Sequence, residues 1–97
     1  MKTNPKTQTK NLKNVGIDIG KSMLDIHIYE LSEYFQFNNT PDDIKALVSK
    51  LTRFKIARIV VEATGGYERA LVEALAEREL PVIVVQPKKI WLYNDDG

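Results

Sequence analysis

Two carboxylates carry most of the chemistry available to this chain. Asp18 stands in the alternating stretch Val15-Gly16-Ile17-Asp18-Ile19-Gly20, and Glu62 ends the apolar run Ile59-Val60-Val61. A β-branched run of this kind predicts a strand buried on both faces, where a charge is excluded unless it is paired, hydrated or holding a metal. Glu62 therefore calls for a partner. There is no cysteine, so a metal at these acids needs oxygen ligands, and hard oxygen donors suit Mg²⁺ or Mn²⁺. The single histidine, His27, alternates with Asp25 and Tyr29 on a polar strand face and reads as structural or exposed.

The acids need elements to position them. Val15, Ile17 and Ile19 alternate with Gly16, Asp18 and Gly20, which predicts a strand whose second face is small except at Asp18. After a turn at Lys21 and Ser22, Leu24, Ile26 and Ile28 predict a second strand. Phe35 and Phe37 mark a third over 33–38, completing an antiparallel meander. Thr40 as N-cap, Pro41 at the first helical position and Asp42 and Asp43 in the first turn predict a helix start. Ile44, Leu47, Val48 and Leu51 recur at helical spacing behind it. A fourth strand over 58–62 then lies parallel to the first across the crossover helix. Gly65 and Gly66 allow a sharp turn, a second helix spans 67–79 with Leu71, Ala74 and Leu75 inward, and Val82 to Val85 form a fifth, buried strand.

Composition bounds what these elements can be. Ninety-seven residues, 43% of them apolar and 28% charged, suffice for one small domain and fall short of most complete enzymes. A net charge of +1 leaves no global footprint for nucleic acid or membrane, so such contacts need a local patch. No stretch approaches the roughly 20 apolar residues of a membrane span, and the N-terminus lacks the apolar core of a signal peptide. A cytoplasmic, nucleoid-associated location and no membrane partner are the expectation. Residues 1–14 carry Lys2, Lys6, Lys10 and Lys13 without an acid and read as a disordered basic arm.

The order β-β-β-α-β-α-β is the pattern of the ribonuclease H-like fold, an α/β architecture with a mixed sheet. There the first strand lies beside the fourth, which would bring Asp18 next to Glu62. Val15 to Lys21, the stretch Val60-Val61-Glu62-Ala63-Thr64-Gly65-Gly66-Tyr67-Glu68, and Pro81 to Pro87 together resemble the N-terminal part of the DEDD transposases. These are the transposases of insertion sequence family one hundred and ten, relatives of the Piv invertases with a RuvC-like catalytic domain. The resemblance covers about residues 15–90, and its most specific part is Glu-Ala-Thr-Gly-Gly-Tyr after the fourth strand.

By that resemblance Asp18 and Glu62 take the places of the first two acids of a metal-binding tetrad, with Mg²⁺ or Mn²⁺ as cofactor. The implied activity is cutting and rejoining of DNA strands for transposition or site-specific recombination. Implied partners are DNA, a structured guide RNA in some members, and a transposase oligomer. Thr64, Gly65 and Gly66 either cap the second helix or seat a phosphate at its N-terminus. Tyr67 either packs on the sheet or stacks on a base, and Lys21 either meets a phosphate or sits in solvent.

In the family the segment after Gln86-Pro87 leads to a Lys-Thr-Asp and then an Asp-Ala pattern with the last two acids. Here Lys88-Lys89-Ile90 is followed by a tail, 91–97, without that context, and Asp95 and Asp96 are not assigned those roles. The expectation is a truncated fragment, inactive alone, with a non-catalytic nucleic-acid- or transposase-binding remnant as the alternative. Gly16 to Ser22 also resembles the first phosphate loop of sugar kinases and actin-like ATPases. Those proteins need a second phosphate loop and an adenosine motif, and no segment of the chain supplies either.

Overall fold

A computed structural model describes residues 11–62 and 65–86. Strands β1 (Lys13–Ile19), β2 (Met23–Ile28) and β3 (Glu33–Asn38) form the antiparallel meander, with a single 3₁₀ turn at Tyr29–Leu31 between β2 and β3. Helix α1 (Pro41–Leu51) leads to β4 (Ile56–Glu62), and helix α2 (Arg69–Glu77) leads to β5 (Val82–Val85). The five strands make one mixed sheet in the order β3-β2-β1-β4-β5, with β1–β4 and β4–β5 parallel. This α/β arrangement is compatible with a ribonuclease H-like fold. Strand β1 begins at Lys13 rather than at Val15.

Period-two alternation divides every strand between two faces. One face turns Val15, Ile17, Ile19, Leu24, Ile26 and Ile28 inward, with Ile59 and Val61 of β4 beside them. Both helices cover this face. Helix α1 contributes Ile44, Leu47, Val48 and Leu51, α2 contributes Leu71 and Leu75, and all belong to one continuous core. No polar or charged residue is buried among the described residues. Phe35 and Phe37 of the edge strand β3 pack at the core margin, and the Lys50 ammonium sits 4.8 Å from the Phe35 ring centroid, where the ring's negative face attracts it.

Local chemistry sets the helix ends. The Thr40 hydroxyl accepts from the Asp43 N–H, and Pro41 occupies the first turn, as the sequence implies. Helix α2 stops without a glycine. Leu80 N–H donates to the Leu75 carbonyl and Glu79 N–H to the Ala76 carbonyl, the paired closure of a Schellman motif, which puts Glu79 in the left-handed region at φ 58°. Pro81 follows, and its carbonyl accepts from Ile59 N–H at the start of the β4–β5 ladder.

Two burial expectations are corrected. Strand β4 is buried on one face only, and most of β5 is exposed, including Ile83, Val84 and Val85. Ile83 and Val85 share the sheet face that neither helix covers, in register with Val60 and Glu62. An apolar run has the same composition whether one of its faces is covered or both.

Candidate active site

The helix-free face of the sheet is where the acids lie. The parallel β1–β4 register pairs Gly16 with Val60 and Ile17 with Val61, so Asp18 and Glu62 follow as the next residues on adjacent strands. Alternation sends both side chains to the open face. Both are exposed, and both line one cavity of about 330 Å³, bordered also by Gly16, His27, Tyr29 and Val85. Glu62 is therefore hydrated, and the desolvation penalty expected of a doubly buried strand end does not arise.

A third carboxylate shares this level of the sheet. The antiparallel β1–β2 register sets Asp25 directly opposite Asp18, a like-charge pairing that by itself disfavours the sheet. Asp25 is drawn toward β3 instead. Its Oδ1 accepts from Gln36 Nε2 at 2.6 Å and from the Tyr34 hydroxyl at 2.7 Å. These bonds, Gln36 first, hold the Asp25 carboxyl below its ordinary pKa, while the bond to Asp25 pushes the Tyr34 phenol up. His27 packs between two tyrosines on the same face, with ring centroids 4.7 Å from Tyr34 and 6.0 Å from Tyr29.

Among the described residues no three His, Cys, Asp or Glu side chains are grouped to hold a metal. The carboxylates lining the cavity are Asp18 and Glu62, with His27 also on its border. Magnesium is commonly bound through one or two carboxylates, with water and substrate phosphates completing its shell. Two exposed hard-oxygen donors in a cavity with no lysine or arginine among its described lining residues fit that mode, and they do not make a closed protein cage.

The other residues singled out from sequence lie around this centre. Lys21 is exposed in the turn after β1 and does not line the cavity. Gly65 and Gly66 have φ of 73° and 110°, conformations open to glycine. They precede α2 rather than cap it, since its N-cap is Glu68, and the Gly66 N–H donates to Glu68 Oε1 at 3.1 Å. Tyr67 is about half exposed, at 48%, and lies outside the cavity lining. Thr64, the Lys88-Lys89 pair and the 91–97 tail lie outside the described residues, as do residues 1–10 of the basic arm.

Three residues at the site were not evident from sequence. Asp25 was accessible in principle, because a three-residue turn between short strands fixes which residues face each other. Tyr29 reaches back over Gly16 from the 3₁₀ turn, a path no strand periodicity encodes. Asn39 precedes the N-cap of α1, and its Nδ2 donates to the Gly20 carbonyl at 3.0 Å and to the Tyr67 carbonyl at 3.1 Å. Nothing in its sequence context marks that role.

A family model described as transposase, the DEDD type of the IS110 group, matches residues 15–96. The chain belongs to the DEDD transposase family. The matched span contains both cavity acids, all five strands but the first two residues of β1, and both helices. Membership in the DEDD transposases supports a transposase role and implies DNA as a partner. No curated relative matches the chain. No helix among the described residues is long and apolar enough to cross a membrane.

Proposed function

We propose that this chain forms the ribonuclease H-like, RuvC-like part of a DNA transposase, and that Asp18 and Glu62 supply carboxylate ligands for Mg²⁺ or Mn²⁺ during DNA strand cutting and rejoining. The observation that carries this is their placement at one level on neighbouring parallel strands, open to a shared cavity. When bound, a divalent ion would polarise a phosphodiester and lower the pKa of water. The chain's own residues contribute binding and exclusion. Asp18 and Glu62 concentrate negative charge where a cation can neutralise it, Tyr29 and Val85 wall the cavity, and Gly16 leaves its floor free of side chain. Lys21, Gly65, Gly66, Thr64 and Tyr67 belong to the two segments that follow the acids in sequence and are the residues proposed to meet DNA. A guide RNA and a transposase oligomer remain part of the proposal through family membership.

Mn²⁺ titration of the protein and of Asp18→Asn and Glu62→Gln tests the site. Each substitution keeps size and removes a charged ligand, so the heat of binding should fall away in both. Unchanged Mn²⁺ affinity in both variants would overturn the assignment.

A second reading has one observation in its favour. Among the described residues strand β5 is an edge strand whose Ile83, Val84 and Val85 are exposed, the kind of surface that pairs with or packs on another chain. It supports association with another transposase chain, with or without catalysis by this one. Sedimentation of a mixture with an intact transposase, compared with each protein alone, distinguishes the two.

A further inference from the structure

We infer that Asn39 is a positioning residue that sets the spacing of Asp18 and Glu62 by tying together the two segments that leave those acids; the inference rests on the metal site proposed above. The β1–β4 ladder has its last matched pair at Ile17 and Val61, so the two acids are paired only with their outer neighbours, Asp18 with Asp25 of β2 and Glu62 with Val85 of β5, and not with each other. After Asp18 the chain turns at Gly20, and α2 follows the glycine pair Gly65 and Gly66 after Glu62. Asn39 spans the two segments. Its Nδ2 donates one hydrogen to the Gly20 carbonyl, two residues after Asp18, and the other to the Tyr67 carbonyl, five residues after Glu62.

The orientation of the amide follows from chemistry. Both partners are carbonyl oxygens, which only accept, so the nitrogen rather than the oxygen of the side chain must face them. Asn39 is itself anchored. Its backbone N–H donates to the Ser22 carbonyl at 2.8 Å, the preceding Asn38 N–H donates to Asp43 Oδ2 at 2.7 Å, and Thr40 caps α1 immediately after it. The amide thus projects from the junction of β3 and α1, a point fixed by the core. It ties together two segments that carry glycines. Aspartate has no donor for either carbonyl, and glutamine places its nitrogen one methylene farther out.

The test is Mn²⁺ affinity measured by titration calorimetry alongside thermal unfolding, for Asn39→Ala, Asp18→Asn and Thr52→Ala. Thr52 serves as the stability control, because its hydroxyl makes one comparable bond to the Ser49 carbonyl at the far end of α1. Asn39→Ala should weaken Mn²⁺ binding by about tenfold, the low end of the loss seen when groups bonded directly to metal ligands are removed, since Asn39 acts on the acids through the backbone. Thr52→Ala should leave it unchanged at a similar loss of melting temperature. Should Asn39→Ala not give a cooperative melt, Asn39→Ser takes its place, since serine suits the turn but is too short to reach both carbonyls. Wild-type affinity in the Asn39 variant together with lost affinity in Asp18→Asn overturns the role of Asn39 alone. Wild-type affinity in all variants overturns the metal site and this inference with it. Equal weakening in Thr52→Ala shows a general stability effect and also overturns it.

Discussion

The ring of Tyr29 lies over the backbone of Gly16, so close that a methyl group added at Gly16 would stand 2.5 Å from the Tyr29 hydroxyl oxygen. Position 16 is therefore glycine because of a neighbour from another segment, and the backbone of the cavity floor stays bare beside Asp18.

This contact gives the first prediction. In a strand interior, Gly→Ala ordinarily stabilises by roughly 0.5–1 kcal/mol. Gly16→Ala should show that gain only in a Tyr29→Ala background, whereas in the parent protein it should be cancelled or reversed as the exposed ring is pushed aside. Urea unfolding of the four proteins of this cycle would show a coupling above about 0.5 kcal/mol. Additive midpoints would contradict the contact.

Acid should weaken the protein partly through Asp25. Its donors from Gln36 and Tyr34 lower the folded-state pKa, so its contribution is full above the unfolded carboxylate value and is lost as pH falls through the lowered folded value. Tyr34 runs the other way: its raised pKa makes its contribution full below the unfolded phenol value and lost as pH rises through the folded one. Stability measured against pH should fall less steeply in Asp25→Asn on the acid side, and less steeply on the alkaline side as well, because Tyr34 loses the bond that raises its pKa. Some acid slope should survive, because Glu30, held low by the Asn14 N–H and side-chain amide, titrates in the same window. An unchanged acid limb in Asp25→Asn would rule this out.

Helix α2 offers a stabilising change. Glu79 closes the Schellman motif at φ 58°, a conformation that costs an L-residue about 1–2 kcal/mol and glycine little. Glu79→Gly should raise the urea midpoint by the equivalent of about 1 kcal/mol. A lower midpoint would mean that the Glu79 side chain matters more than its backbone.

Core truncation should be costly on one face only. Leu47→Ala and Leu75→Ala, both at fully buried positions, should each destabilise by about 2–5 kcal/mol. Val85→Ala on the open face should cost well under that, about 1 kcal/mol or less. Equal losses from the two faces in thermal melts would be inconsistent with helices on one side.

Much of this architecture was legible in the chain itself. The alternation of Val15, Ile17 and Ile19 with small and polar residues implied a strand with a single buried face, and Thr40-Pro41 with acids behind it marked the start of α1 where it is found. Helix α2 was expected over 67–79 and spans Arg69–Glu77, because the glycine turn runs on through Tyr67 and Glu68 before the helix begins. The 3₁₀ turn at Tyr29–Leu31 leaves no trace in the sequence, since three residues make too short a pattern to show a period. The placement of β5 was misjudged for a different reason. Val82 to Val85 are apolar throughout, and which of them lie bare depends on where the helices land, which is a property of the whole chain. Asp18 and Glu62 as neighbours followed from topology, whereas the grip of Asn39 on two distant carbonyls is a three-dimensional coincidence with no linear trace.

The one-sided covering of the sheet has an inherited consequence. Along β1 the odd-numbered residues Val15, Ile17 and Ile19 answer to the core, while the even-numbered Gly16 and Asp18 face the cavity. Packing of the core and lining of the cavity thus fall to alternate letters of the same short word. Either set can drift while the other is kept, so a chain altered on its cavity face would go on forming a folded sheet.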